Sequence, residues 1–152
     1  MGVIGLGMMG SQIALRLALK GHKVTVFNRD TSKIEKLLTQ HTNGTTNLKM
    51  AHKPKELAET SDIAIICVKD YRAITNVSFM TGGLIETTNA DLVVIQCSTI
   101  SPDESSKIAD FYSKKQIKML SVPPASIAEG EITLIGAGPK PAYKFAEAIL
   151  KI

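Results

Sequence analysis

The sequence predicts an α/β fold: a mostly parallel, doubly wound sheet with helices on both faces, three layers in all. Three observations carry this. A short apolar strand runs into a glycine turn and then a helix at Val3-Ile4-Gly5-Leu6-Gly7-Met8-Met9-Gly10-Ser11. Continuous apolar stretches recur at 62–68 and 91–97, the pattern of strands buried on both faces. Helical patterns alternate with these strands along the chain, as parallel strands require of their connections.

The opening turn has the composition that a dinucleotide pyrophosphate needs. Gly5 can take a tight turn, Gly7 lets backbone approach a phosphate, and Gly10 lets the following helix pack close to its strand. The first-turn amides of that helix then face the anion. The helix is expected over 11–20, with a narrow polar stripe of Gln12, Arg16 and Lys20 and with Ile13, Ala14, Leu17 and Ala18 inward. Gly21 closes it and 22–28 follows as a β-branched strand, completing a strand-helix-strand unit. A glycine-rich turn in an unrelated α/β domain is the competing reading; the unit as a whole favours a Rossmann-type cradle formed by Gly5, Leu6, Gly7, Met8, Met9 and Gly10.

The end of the second strand bears on which dinucleotide binds. A carboxylate there would suit the ribose hydroxyls of NAD, whereas neutral and cationic groups suit the 2′-phosphate of NADP. The chain has Asn28-Arg29, followed by Thr31, Ser32 and Lys33 as further donors. Arg29 can grip a phosphate with two parallel hydrogen bonds, and Asn28 adds no repelling charge. Asp30 argues the other way, one residue on. The reading is NADP over NAD.

The remaining elements follow in order. Ile34, Leu37 and Leu38 fall at helical spacing in 31–40, 41–44 is a polar break, and 45–50 is a short edge strand. Pro54 sits in the first turn of a helix over 54–60. The apolar strand 62–68 is expected beside the first strand, so that a crevice opens at their carboxyl ends with Val68, Lys69 and Asp70 on its lip. A helix over 71–80 turns Ile74 and Val77 inward and ends before Gly82-Gly83. Strand 91–97 leaves Ser98 and Thr99 facing the crevice. Ser101, Pro102 and Glu104 then form a capping box that starts a helix carrying Ile108, Ala109 and Tyr112 on one face. Residues 123–130 read as a loop, 131–135 as a further strand, 136–138 as a turn, and 141–152 as a closing helix with Phe145, Ile149 and Ile152 on one side.

The 152 residues suit one domain, 1–152. Lys and Arg number 18 against 14 for Asp and Glu, a net +4. These charges are scattered and aromatics are few, so a nucleic-acid partner is not expected, while polyanionic cofactors suit the excess. Cys67 and Cys97 lack metal-ligand spacing and read as packing residues in a reducing cytoplasm. No apolar run of membrane-spanning length occurs, and neither a signal peptide nor a membrane partner is expected. The oligomeric state is left open.

The residues Gly5-Leu6-Gly7-Met8-Met9-Gly10, Gly21-His22, Asn28-Arg29 and Ser98-Thr99-Ile100-Ser101-Pro102 resemble the β-hydroxyacid dehydrogenase family, which includes 3-hydroxyisobutyrate and 6-phosphogluconate dehydrogenases. The resemblance covers nearly the whole chain as that family's N-terminal NADP-binding domain. It implies an oxidoreductase that moves hydride between a nicotinamide cofactor and the β-hydroxyl of a small carboxylic acid. It also implies that Val68 and Lys69 border the adenosine side and that Thr99 lies near the nicotinamide.

Two departures limit what the resemblance implies. Family members often carry an aspartate where this chain has Gln96. Where they place a serine and paired glycines for the substrate carboxylate, this chain reads Pro123-Pro124-Ala125-Ser126-Ile127-Ala128, so Ser126 is the remaining candidate for a substrate contact, against an ordinary surface loop. The family's catalytic lysine and its asparagine partner sit on a later helix leading to an all-helical second domain, which is absent from this sequence. No residue here is assigned catalysis, because Lys69 suits the adenosine end. The expected function is the cofactor domain of an NADP-dependent dehydrogenase or reductase completed by a helical domain or partner chain; the alternative is a non-catalytic NADP-binding module acting through a partner protein.

Overall fold

The structure is a computed structural model that describes residues 1–40, 47–128, 131–134 and 136–150. Six parallel strands form the main sheet in the order β3-β2-β1-β4-β5-β6. They are β1 (Gly2–Ile4), β2 (Val24–Phe27), β3 (Leu48–Met50), β4 (Ile63–Ile66), β5 (Val93–Gln96) and β6 (Lys118–Ser121). Five helices connect or flank them: α1 (Met8–Leu19), α2 (Thr31–Gln40), α3 (Pro54–Glu59), α4 (Tyr71–Phe79) and α5 (Pro102–Lys114). A hairpin of β7 (Pro124–Ala128) and β8 (Glu131–Leu134) precedes the helix α6 (Lys140–Leu150).

Alternation along the strands explains why both faces are covered. Ile63, Ile65, Val93 and Ile95 enter one apolar cluster with Ala14 and Leu17 of α1, Ile34 of α2 and Ala142 of α6. Ala64, Ile66 and Val94 enter a second cluster with Leu57 of α3, Ile74 of α4, and Ile108 and Tyr112 of α5. Each strand therefore feeds two cores, which is why it is apolar throughout. The chain builds β1, β2 and β3 outward in one direction, then returns to place β4 on the other side of β1. That reversal opens the crevice at the carboxyl ends of β1 and β4.

Several expectations need correction. Helix α1 begins at Met8, not Ser11, with Gly7 as its N-cap residue. Ile13 is only half-buried, whereas Leu15 joins the core. Strand β2 starts two residues later than expected, at Val24. Residues 118–121, where no element is expected from the sequence, form the edge strand β6. Residues 124–128, read as a loop, form β7 and pair antiparallel with β8. Accordingly β8 is a hairpin partner and adds nothing to the main sheet. The break at 41–44 and the start of the expected strand at 45–50 fall outside the described residues, as does the apolar side-chain face of Phe145, Ile149 and Ile152.

Candidate dinucleotide site

Three strand ends, those of β1, β2 and β4, meet at the crevice. Gly5 follows β1, with its amide bonded to the Phe27 carbonyl at 2.9 Å and φ at +91°, a conformation that favours glycine. Cys67 follows β4 and donates to the Ile4 carbonyl at 2.8 Å. A Cβ on Gly5 would collide with the Cys67 carbonyl, and one on Gly10 would collide with the Gly5 carbonyl. The turn is thus wedged between the end of β4 and the first turn of α1. Gly7 differs, because no atom lies within 4 Å of where its Cβ would be. Its open side and the first-turn amides of α1 make an anion cradle.

Asn28 ties the second strand to this cradle. Its Oδ1 accepts the Leu6 N–H at 2.9 Å, and its Nδ2 donates to the Asp30 carbonyl at 2.9 Å. Asp30, the residue that argued for NAD, also lines the crevice, but one of its oxygens is already engaged. Its Oδ1 accepts the Ser32 N–H at 3.1 Å and the Ser32 hydroxyl at 2.6 Å, capping α2. These two bonds hold its carboxyl below the ordinary range, helped by Lys33 and Arg29. Arg29 and Lys33 are exposed beside it on the crevice wall.

The crevice has a volume of about 360 Å³, and Gly5, Gly7, Asn28, Arg29, Val68 and Lys69 are all on its wall. The other expected residues serve differently. Leu6 is buried and its amide is already used by Asn28. Met9 packs against the core, so only its backbone faces the turn. Met8 is 94% exposed at the start of α1. Lys69 is 81% exposed and pairs with Asp70 at 3.3 Å, while Asp70 caps α4 by accepting the Ala73 N–H at 2.7 Å.

Thr99 is exposed and lies off this wall. Ser98 does not face the crevice as expected: it is buried, and its Oγ accepts the Val68 N–H at 3.0 Å. Gln96, fully buried, donates from Nε2 to the Ser98 carbonyl at 2.6 Å and accepts the Ser121 hydroxyl at 3.1 Å. This chain of bonds stitches the ends of β4, β5 and β6 together. Ser126, expected in a loop, lies in β7 opposite Thr133.

Sequence reasoning missed the contribution of α4. Ala73, Asn76 and Val77 line the crevice, at the i, i+3, i+4 spacing that places residues on one helical face. Among the described residues, no group of three or more His, Cys, Asp or Glu side chains could hold a metal ion. None of the described helices is long and apolar enough to cross a membrane.

Over residues 1–152 the chain matches the family model of the NAD binding domain of 6-phosphogluconate dehydrogenase. The chain belongs to this family. The NAD binding domain of 6-phosphogluconate dehydrogenase also accounts for the crevice, since it is a nicotinamide-dinucleotide-binding fold. Among curated relatives, the uncharacterized oxidoreductase YfjR of Bacillus subtilis (strain 168) is 33% identical, covering 97% of this chain and 51% of its own length. The probable mitochondrial 3-hydroxyisobutyrate dehydrogenase of Dictyostelium discoideum is 26% identical, covering 99% of this chain and 46% of its own. An imine reductase of Streptomyces aurantiacus superposes with a TM-score of 0.84 at 25% identity, over 99% of this chain and 51% of that one. The chain spans about half the length of these curated relatives.

Proposed function

We propose that this chain binds NADP across the Gly5–Gly10 turn and serves as the cofactor half of a β-hydroxyacid dehydrogenase-like oxidoreductase. The single observation that carries the reading is the open face of Gly7 at the start of α1, set beside Asn28-Arg29 immediately after the second strand. A side chain at Gly7 would fill the space a phosphate needs. The bound nucleotide supplies a hydride acceptor or donor. The chain's own residues hold it: the Gly7, Met8 and Met9 backbone against the pyrophosphate, Arg29 and Lys33 against the 2′-phosphate, Val68 and Lys69 along the adenosine, and Thr99 toward the nicotinamide.

Asp30 strengthens the choice of NADP. Its Oδ1 already accepts the Ser32 amide and hydroxyl in the helix cap, which leaves that oxygen less available to ribose hydroxyls. Asn28 likewise keeps the turn in shape and places no carboxylate at the end of β2.

The hydride transfer proposed here moves a proton as well, and a placed acid or base typically contributes a factor of about 10² to 10⁴ in rate. Lys69 points its charge to solvent and to Asp70, so it is a poor candidate. The proton carrier therefore belongs to a helical domain or partner chain that closes over the nicotinamide side. Substrate contact by Ser126 depends on that same closure. Free thiols at Cys67 and Cys97 suit a reducing cytoplasm.

Calorimetric titration of NADP and NAD into the chain, with hydride exchange assayed against small β-hydroxy acids, tests this reading. Binding with NADP preferred and little turnover without a partner is expected. Turnover at an ordinary dehydrogenase rate would show that the acid/base lies within these residues. Absence of nucleotide binding would remove the reading.

A further inference from the structure

The chain has two cysteines, and the fold sets them side by side just after β4 and β5, with Cys67 on the crevice wall and Cys97 buried. β4 and β5 pair in register up to Ile66 opposite Gln96, and the ladder continues one step, with the Cys97 N–H bonded to the Ile66 carbonyl at 2.9 Å. Cys67 and Cys97 are therefore neighbours across two parallel strands. Their side chains also share a face, because both pack with Ile65 and Ile95 in the same apolar cluster. Adjacent strands lie about 4.8 Å apart, inside the range of about 4.4 to 6.8 Å between Cα atoms that a disulfide spans.

The two thiols differ in access. Cys97 is 5% exposed, whereas Cys67 is half-buried and lines the crevice wall. The neighbouring Cys67 thiol, with burial adding to it, pushes the Cys97 thiol well above its ordinary value. Cys67 is thus the thiol a small solute meets first, with Cys97 behind it. Cys67 also supports the glycine turn: its carbonyl sits under Gly5, and its Cβ lies 3.2 Å from where a Cβ of Gly10 would be.

We infer that Cys67 and Cys97 form an oxidative modification site for small hydroperoxides, and that closing it to a disulfide weakens dinucleotide binding at the turn above. This coupling rests on the proposed dinucleotide site; the thiol chemistry does not. The Cys67 thiolate attacks the peroxide, breaking the O–O bond, and becomes a sulfenic acid, while the departing oxygen takes up a proton to leave as water or alcohol. The Cys97 sulfur then attacks the Cys67 sulfur, the S–O bond breaks, and the thiol proton leaves with the hydroxyl as water. In total two thiols are oxidised and one peroxide is reduced.

Drawing Cys67 toward Cys97 pulls it away from Gly10 and shifts the carbonyl on which Gly5 rests. A coupling of about tenfold in nucleotide affinity is the ordinary scale for two linked sites. Linkage is reciprocal, so saturating NADP then favours the reduced pair by the same factor, raising its midpoint potential by about 30 mV.

The test treats the reduced chain with hydrogen peroxide, then reads intact mass, free thiols and NADP affinity, with C67S and C97S in parallel. The expected result is an intramolecular disulfide: the monomer loses two hydrogens and both thiols, dithiothreitol restores them, and the oxidised chain binds NADP about tenfold more weakly. Neither variant should lose the hydrogens or respond in affinity. Persistent over-oxidation of Cys67 with Cys97 still free would overturn the proposal, as would disulfide-linked dimers or a disulfide that leaves NADP affinity unchanged. A disulfide in a chain that binds no NADP even when reduced would uphold the thiol chemistry and overturn the coupling, together with the nucleotide reading.

Discussion

The Asn28 side chain accepts a hydrogen bond from the Leu6 backbone amide at 2.9 Å, joining the end of β2 to the glycine turn across 22 residues of sequence. The contact gives Asn28 two separable duties: it shapes the turn, and it keeps the neighbourhood of Arg29 free of a further carboxylate. Asn28→Ala is expected to cost about 1 kcal/mol of stability and to weaken NADPH and NADH together. Asn28→Asp can still accept the Leu6 amide, so it should leave the turn intact and weaken NADPH more than NADH. Thermal melts and titrations with both cofactors separate the two effects.

Arg29→Ala should discriminate between the cofactors directly. A charge-assisted bond to phosphate contributes about 1.5 to 3 kcal/mol, so NADPH affinity should fall roughly ten- to hundredfold while NADH affinity barely moves. Equal losses for both cofactors would place the 2′-phosphate elsewhere.

Gly7 and Gly10 should respond in opposite ways. A side chain at Gly7 enters open space, so Gly7→Val should melt close to wild type yet lose nucleotide binding. A Cβ at Gly10 meets the Gly5 carbonyl, so Gly10→Ala should lose about 1 to 3 kcal/mol through overpacking. Melting temperature and NADP affinity, measured on both variants, check the contrast.

Asp30 makes stability depend on acid pH. Its folded-state pKa lies below the ordinary 3.8, so the unfolded chain binds more protons between the two values. The cap's contribution is fully present above the unfolded pKa and is lost as pH falls through the folded one. Asn at this position caps without titrating. The gap in melting temperature between wild type and Asp30→Asn should therefore shrink as pH falls from about 5 to below 3, and a gap that stays constant would rule out the cap as its source.

Much of this architecture could be read from residues alone, and the places where it could not share a cause. Helix α1 runs to Leu19, and Gly21 just beyond it, with φ at +88°, marks the stop in the sequence as well as in space. Helix α5 ends in the same geometry at Gln116, with φ at +60°, while the Gln116 and Ile117 amides bond back to Ser113 and Tyr112 at 2.8 and 3.1 Å. Without a glycine there the stop is silent, and β6 behind it goes unseen. The β7–β8 hairpin was obscured differently: the resemblance suggested a substrate loop at Ser126, although two β-forming runs with Gly130 between them are a local hairpin signal.

At the crevice, the placement of the glycine turn and of Arg29 on one wall was legible because both follow directly from adjacent strand ends. The burial of Ser98 was not, since it depends on the amide of Val68, 30 residues away. Asp30 reads as a free carboxylate in the sequence, whereas in the fold its Oδ1 accepts the Ser32 amide and hydroxyl.

The central claim is that phosphate groups sit on the Gly7 turn and that Arg29 takes the one on the ribose. Two-dimensional NMR of the chain during NADP and NAD titration tests it most directly. The account expects both nucleotides to shift the amides of Gly7, Met8 and Met9, and only NADP to shift the Arg29 side chain. A larger groove of about 460 Å³, lined by Ser105, Ala109, Lys118 and Gly138, runs along β6 and α5. Shifts confined to that groove, with the glycine turn silent, would contradict the account.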